Sequence, residues 1–290
     1  MLCDRACDNC NNDDKIATEA TPEPETILDP ETTLELEETP EPICKEVSYC
    51  QEQPVGKGGW RYHQRSIAEQ VEILQSYFPR LSFVGLDEAM EIPDGAEGPF
   101  VILKWQSVAP TYNRAFQKVI KMILRKNYKN ICQKDECSVR QDPDTAKMID
   151  EISANQARDA FILPAQWSDQ RYHGLSARKA LKQFLPNEFG LDSFSVACML
   201  LTHPERISHF WVAIYATGGV IQKKVSPTTR GLDCAPLFSY ALQFDSVSFC
   251  HSWVELRNDS TTTATGFIPL EFVYPAGMDF LGVPMEGGTR

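Results

Sequence analysis

Long hydrophobic runs are missing from this 290-residue chain. None approaches the roughly 18 consecutive apolar residues that a membrane-spanning helix needs, so no membrane partner is expected. The first residues, MLCDRACDNCNNDD, have neither the basic start and apolar centre of a secretory signal nor the Arg-rich, acid-poor character of a transit peptide. A cytoplasmic, reducing location is the expectation. An excess of basic charge is also absent: 28 Lys and Arg stand against 40 Asp and Glu, a net charge of −12. That excludes a globally basic nucleic-acid binder working through its overall field. Neither G-x-G-x-x-G nor a Walker phosphate loop occurs, and neither H-E-x-x-H nor G-x-S-x-G.

The acidity that is present is localised. Residues 1–54 hold 15 acidic side chains and three basic ones (Arg5, Lys15, Lys45), and the remainder of the chain is charge-neutral. Six prolines fall within residues 17–54, with few aromatics. Such a segment buries too little apolar surface to offset the entropy of ordering it. The expected organisation is a disordered acidic Pro/Glu-rich arm over 1–55 and an α+β body over 56–290. A sub-boundary is placed in the polar stretch 131–147. Short apolar groups, Ile27-Leu28 and Leu34-Glu-Leu36, give the arm something to dock on a partner groove; otherwise it is a solubilising tail.

Ten cysteines without an export signal read as thiols or metal ligands rather than disulfides. Cys3, Cys7 and Cys10 have a C-x3-C-x2-C spacing that resembles the cluster ligands of radical enzymes using S-adenosylmethionine. Those ligands follow a barrel strand, whereas here an acidic segment comes next. No cofactor is expected; the alternative is tetrahedral zinc on Cys3, Cys7 and Cys10, with Cys44 or Cys50 as fourth ligand.

In the body, Ile67, Val71, Leu74, Tyr77 and Phe78 recur at helical spacing, with Ser66 as N-cap, Glu69 completing a capping box and Pro79 as terminator. Leu86–Met90 reads as a helical turn and Pro99–Lys104 as a buried strand. A helix is expected over 111–130, apolar at Tyr112, Phe116, Val119, Ile120, Ile123 and Leu124. Its other face is basic: Arg114, Lys118, Lys121, Arg125 and Lys129. These five are the candidate partner-binding residues, for an acidic protein surface, the acidic arm itself or phosphate; exposed pairs would add under about 1 kcal/mol each. Nucleic acid is not otherwise expected.

Residues 131–147 read as loop, Ala160–Pro164 as a strand, Leu175–Leu185 and Ser193–His203 as helices, and Phe210–Tyr215 as a strand. In the 175–185 helix Leu175, Ala180, Leu181, Phe184 and Leu185 are placed inward. Thr217–Gly219 is expected to turn that strand into a hairpin with Val220-Ile-Gln. Leu237–Phe244 fits a strand or short helix, Val247–Arg257 a strand, Thr261–Thr265 a loop, and the tail is irregular. The interleaving predicts an α+β fold with a mixed or antiparallel sheet flanked by amphipathic helices.

Two resemblances follow from these segments. The order of elements over 66–257, including Leu81–Glu88 ending G-L-D-E, Pro99–Leu103 and Leu200-Leu-Thr-His-Pro204, resembles an uncharacterised bacterial protein family; it implies a grouping by fold and transfers no catalytic residues. His209-Phe-Trp-Val-Ala-Ile-Tyr215 followed by Gly218-Gly219 resembles the histidine strand of circularly permuted papain-like cysteine hydrolases. That resemblance implies Cys234 as a thiolate nucleophile at a helix start, with His209 as its base. His251 or Asp245 would orient the imidazole. Alternation also places Cys250 with Ser252 on one face of a strand, and His251 with Trp253 on the other. The favoured reading is a soluble, non-catalytic interaction or structural protein, with the thiol hydrolase and the zinc protein as alternatives.

Overall fold

The computed structural model describes residues 54–55, 59–60, 64–86, 92–123, 137–167, 169–210, 213–223, 234–241, 246–256 and 259–268. Residues 1–53 of the acidic arm, with Cys3, Cys7, Cys10, Cys44 and Cys50, the turn expected at 87–90, and Leu124, Arg125, Lys129 and Asp245 lie outside the described residues; the last two positions of the arm, Pro54 and Val55, are a strand.

A short ladder pairs β1 (Pro54–Val55) with β2 (Gly59–Trp60). Helix α1 (Ile67–Tyr77) follows, and Ser66 and Glu69 form the expected reciprocal capping box. Strand β3 (Gly98–Leu103) lies at the edge of a four-stranded sheet with order β3-β5-β12-β6; the others are β5 (Ala160–Gln166), β12 (Thr265–Phe267) and β6 (Glu188–Gly190). The run continues past Pro164, which stands opposite Pro99, two residues without N–H facing each other. Glutamine carboxamides cover backbone groups that neighbouring strands leave unmet. Buried Gln70 accepts from Val101 N (2.9 Å) and donates to Pro99 O (3.0 Å). Gln156 accepts from Ile162 N (2.7 Å) and donates to Ile162 O (3.0 Å). An amide side chain reproduces the donor and acceptor of a missing peptide, so these positions carry no unsatisfied backbone.

A second four-stranded sheet has order β10-β9-β7-β11, from β10 (Ser246–Trp253), β9 (Cys234–Ala241), β7 (Ala213–Tyr215) and β11 (Thr261–Thr263). All its pairings are antiparallel except β7 with β11. Strand β4 (Cys137–Gln141) pairs with β8 (Gly219–Lys223). The architecture is α+β with mixed sheets, as the sequence pattern implied.

The remaining helices are α2 (Trp105–Val108), α3 (Tyr112–Ile123), α4 (Pro143–Ser153), α5 (Asp169–Tyr172), α6 (Ala177–Leu181), α7 (Ser193–Thr202) and α8 (Glu205–Phe210). Every residue of α7 is buried. A helix apolar all round needs neighbours on all sides, and α7 has α1, α3 and β3 against it. It is short: no described helix is long and apolar enough to cross a membrane.

Five expectations are corrected here. The polar stretch 131–147 contains β4 and the start of α4, because β8 supplies a partner ladder and Asp142 caps α4 with Pro143 at its first position. The 210–215 run divides: Phe210 ends α8, which begins after Pro204, and strand β7 starts only at Ala213. Gly219–Lys223 is a strand, but it pairs with β4 and not with β7, so no hairpin forms there. Leu181 and Leu185 are exposed, since α6 stops at Leu181 before a second turn can bring them inward. Thr261–Thr265 is two buried strands, held by β7 on one side and by β5 and β6 on the other.

Candidate functional site

Helix α3 carries the basic face, and its inner side explains why that face points outward. Ala115, Phe116, Val119 and Ile120 are buried. Phe116 packs on Phe249 (ring centroids 4.6 Å) and Phe238 (6.3 Å) of the second sheet. The first turn is tied to the centre of the body. Tyr112 Oη donates to Asp192 Oδ1 at 2.7 Å, and Asn113 Oδ1 accepts from Val139 N of β4 at 3.1 Å. The indole of Trp105 meets the Tyr112 ring edge-on at 6.1 Å.

Asp192 is wholly buried and caps α7. Its Oδ1 also accepts from Phe194 N (2.8 Å) and Ser195 N (3.0 Å). Its Oδ2 accepts from Ser195 Oγ (2.9 Å) and Gln141 Nε2 (3.1 Å). Five donors and a helix N-terminus make this site suited to a carboxylate despite its burial. Burial, and then the Asp192 charge beside it, hold the Tyr112 phenol well above its ordinary pKa. The carboxylate therefore receives a proton-bearing phenol, and the pair fixes the pitch of α3.

With the inner face fixed, Arg114, Lys118 and Lys121 fall at i, i+4 and i+7 on the outer face, and all three are exposed. Lys118 Nζ lies 3.4 Å from the Val108 carbonyl oxygen, to which it donates. None of the three forms an ion pair among the described residues. Arg140, exposed on the adjacent β4, adds a fourth cation near the start of the stripe.

Beside α3's first turn is a cavity of about 260 Å³ between the end of β3, α2, α4 and the start of α7. Ile102, Ile149, Phe161 and Phe194 give it apolar walls, and Lys104, Asp150 and Arg158 line it with charge. Lys104 Nζ is engaged with Ser153 O at 2.9 Å. Behind it, Asp159 accepts from Ser82 N and Ser107 Oγ, both at 2.8 Å. The backbone donor of Ser82, more than any other group, lowers its pKa below the usual carboxylate value.

A second buried carboxylate organises the far edge of the first sheet. Glu188 Oε2 accepts from Tyr172 Oη (2.7 Å) and Leu185 N (2.9 Å) and meets Arg171 Nη2 at 3.1 Å, while Oε1 accepts from Thr265 Oγ1. His203 is buried between Phe100 and Trp167. Arg65 N donates to its Nε2 (3.2 Å), so Nδ1 carries the proton toward Thr202 Oγ1 (2.9 Å). These groups serve the core. Sequence reasoning placed none of Asp192, Glu188 or His203 in a network, because the partners that tie each to the rest of the body, Tyr112 and Gln141, Tyr172 and Thr265, and Arg65, lie far along the chain.

The residues of the thiol site expected from sequence fall on three elements. His209 belongs to helix α8 rather than to a strand. Cys234 is the first residue of strand β9, not of a helix. His251 is on β10, one step diagonally from Cys234 in the ladder. Burial follows the expected alternation: Cys250 and Ser252 are inside, His251 half-buried and Trp253 exposed. Among the described residues no three His, Cys, Asp or Glu side chains converge to hold a metal ion.

No protein-family model, curated protein or solved structure matches the chain.

Proposed function

We propose that the chain is a non-catalytic interaction protein whose body offers the outer face of α3 to an acidic protein surface. The observation that carries this is the stripe of Arg114, Lys118 and Lys121, exposed in register and without ion pairs among the described residues. Exposed cations near one another repel, and a partner's carboxylates relieve that. The helix is held on its inner side by Phe116 and Tyr112, so little ordering is left to do on binding. The 15 acidic residues of 1–54 supply the opposite sign, suited to a basic surface elsewhere on the same or another partner.

The test is fluorescence anisotropy of the full chain with a labelled polyglutamate peptide. Binding should weaken with added salt and be lost in the triple variant Arg114→Glu, Lys118→Glu, Lys121→Glu, whose circular dichroism stays unchanged. Equal binding by that variant sinks the reading. Binding to a DNA duplex but not to polyglutamate would assign the face to phosphate instead.

A further inference from the structure

We infer that Cys234 is a covalent-modification site for planar conjugate acceptors, with His251 as the group that takes and returns its proton. The register sets the geometry. Cys234 pairs with Trp253, Ala235 with Ser252 and Pro236 with His251. Directly opposed residues share a face, so Cys234, His251 and Trp253 lie on one side of the β9–β10 ladder, and Ala235, Cys250 and Ser252 on the other. Diagonal neighbours in such a ladder are about 7–8 Å apart at the backbone, within reach of a long side chain.

The two sides differ in access. Ala235, Cys250 and Ser252 are buried, whereas Cys234 and His251 are half-buried and Trp253 is 45% exposed. Toward the other end of the ladder the shared face closes over Phe238 and Phe249, both inaccessible. A thiol and an imidazole are therefore diagonal neighbours on one face where the ladder opens. The other thiols with described surroundings, Cys198 and Cys250, are inside. Burial pushes the Cys198 thiol pKa strongly up, which removes it as a nucleophile.

The chemistry needs no oxidant and no leaving group. The imidazole of His251 takes the Cys234 proton as Sγ bonds to the β-carbon of an α,β-unsaturated carbonyl. The π pair of the acceptor moves to form the enolate. The imidazolium then returns the proton to the α-carbon. Trp253, directly across from Cys234, offers a flat apolar wall against which a planar acceptor can stack. His209, in helix α8, has no part in this step.

The probe is N-ethylmaleimide on the full-length chain, with labelling followed residue by residue by peptide mass spectrometry. Cys234 should react at least about tenfold faster in the native chain than in urea-unfolded chain, a modest share of what positioned proton transfer supplies. His251→Ala should bring the native rate down to the unfolded rate, imidazole in the buffer should restore part of it, and His251→Gln should behave like His251→Ala without rescue. His209→Ala should leave the rate unchanged. Equal native and unfolded rates overturn the assignment, whatever the variants do. So does a His251→Ala rate that stays at wild type, or one that falls without recovering in imidazole.

Discussion

Tyr112, on the first turn of the basic helix, donates a 2.7 Å hydrogen bond to the buried carboxylate of Asp192, 80 positions later in the chain. One contact thus joins the helix that presents the cations to the cap of the helix at the centre of the core. Tyr112→Phe should lower unfolding free energy by about 1.5–3 kcal/mol, the range for a hydrogen bond to a charged group. Asp192→Ala should cost more, at least about 3 kcal/mol, because it strands several buried donors at once. Urea denaturation of the two single variants and the double variant measures this. A coupling near zero would mean the bond contributes nothing beyond its neighbours.

Alkaline pH should destabilise the fold. Tyr112, Tyr172 and Tyr215 all have pKa values raised above the ordinary 10.0, chiefly by burial, with Glu188 adding to the effect at Tyr172. A phenol that keeps its proton when folded and releases it when unfolded favours unfolding as pH rises past the unfolded value. Stability from these groups is complete below about pH 10 and falls above it. Melting temperature followed from about pH 8 to 11 should drop, less steeply in Tyr112→Phe. An identical slope in that variant would contradict the role given to Tyr112.

On the acid side Asp159 behaves oppositely. Its pKa is lowered, first by the Ser82 N–H and then by the Ser107 hydroxyl. Its contribution is present above the ordinary value of 3.8 and is lost as pH falls through the lower folded value. Asp159→Asn should flatten the acid limb of the stability profile while lowering the plateau by about 1–3 kcal/mol. An unchanged acid limb counts against this assignment.

Gly218 stands where three segments meet. Its N–H donates to Leu191 O and its carbonyl accepts from Asp142 N, both at 2.9 Å. An added Cβ would collide with the Gly190 carbonyl oxygen and with Thr145. Backbone cannot give way as a side chain can, so Gly218→Ala should cost at least about 2 kcal/mol, toward the upper part of the overpacking range. Thermal denaturation of the variant checks this, with Gly85→Ala as a contrast: there no neighbour is closer than 3.9 Å and the strain is that of φ +90° alone.

What the sequence disclosed depended on how local the cause was. The capping box of Ser66 and Glu69 is a three-residue interaction, and it is present as read. The buried β3 and α7 declared themselves by apolar content, and the stripe of Arg114, Lys118 and Lys121 by its period. Elements made by distant partners stayed hidden. Thr261–Thr265 looks like a polar loop because threonine hydroxyls have no evident use until Gln166, Glu188 and the β7 backbone are beside them. Phe210–Tyr215 misled because a short apolar run does not distinguish a helix end from a strand. The pairing of Cys234 with Trp253, and the diagonal placement of His251, came only with the ladder register.

Ala264 separates β11 from β12, and its N–H donates to Tyr215 O while its carbonyl accepts from Leu191 N. A single residue thus passes the chain from one sheet to the other. During synthesis neither sheet is complete until this late segment has left the ribosome, so the preceding strands wait with open edges. Folding of the body should therefore be a late, all-or-none event, and a nascent chain paused before residue 261 would be the form most exposed to aggregation and to chaperones.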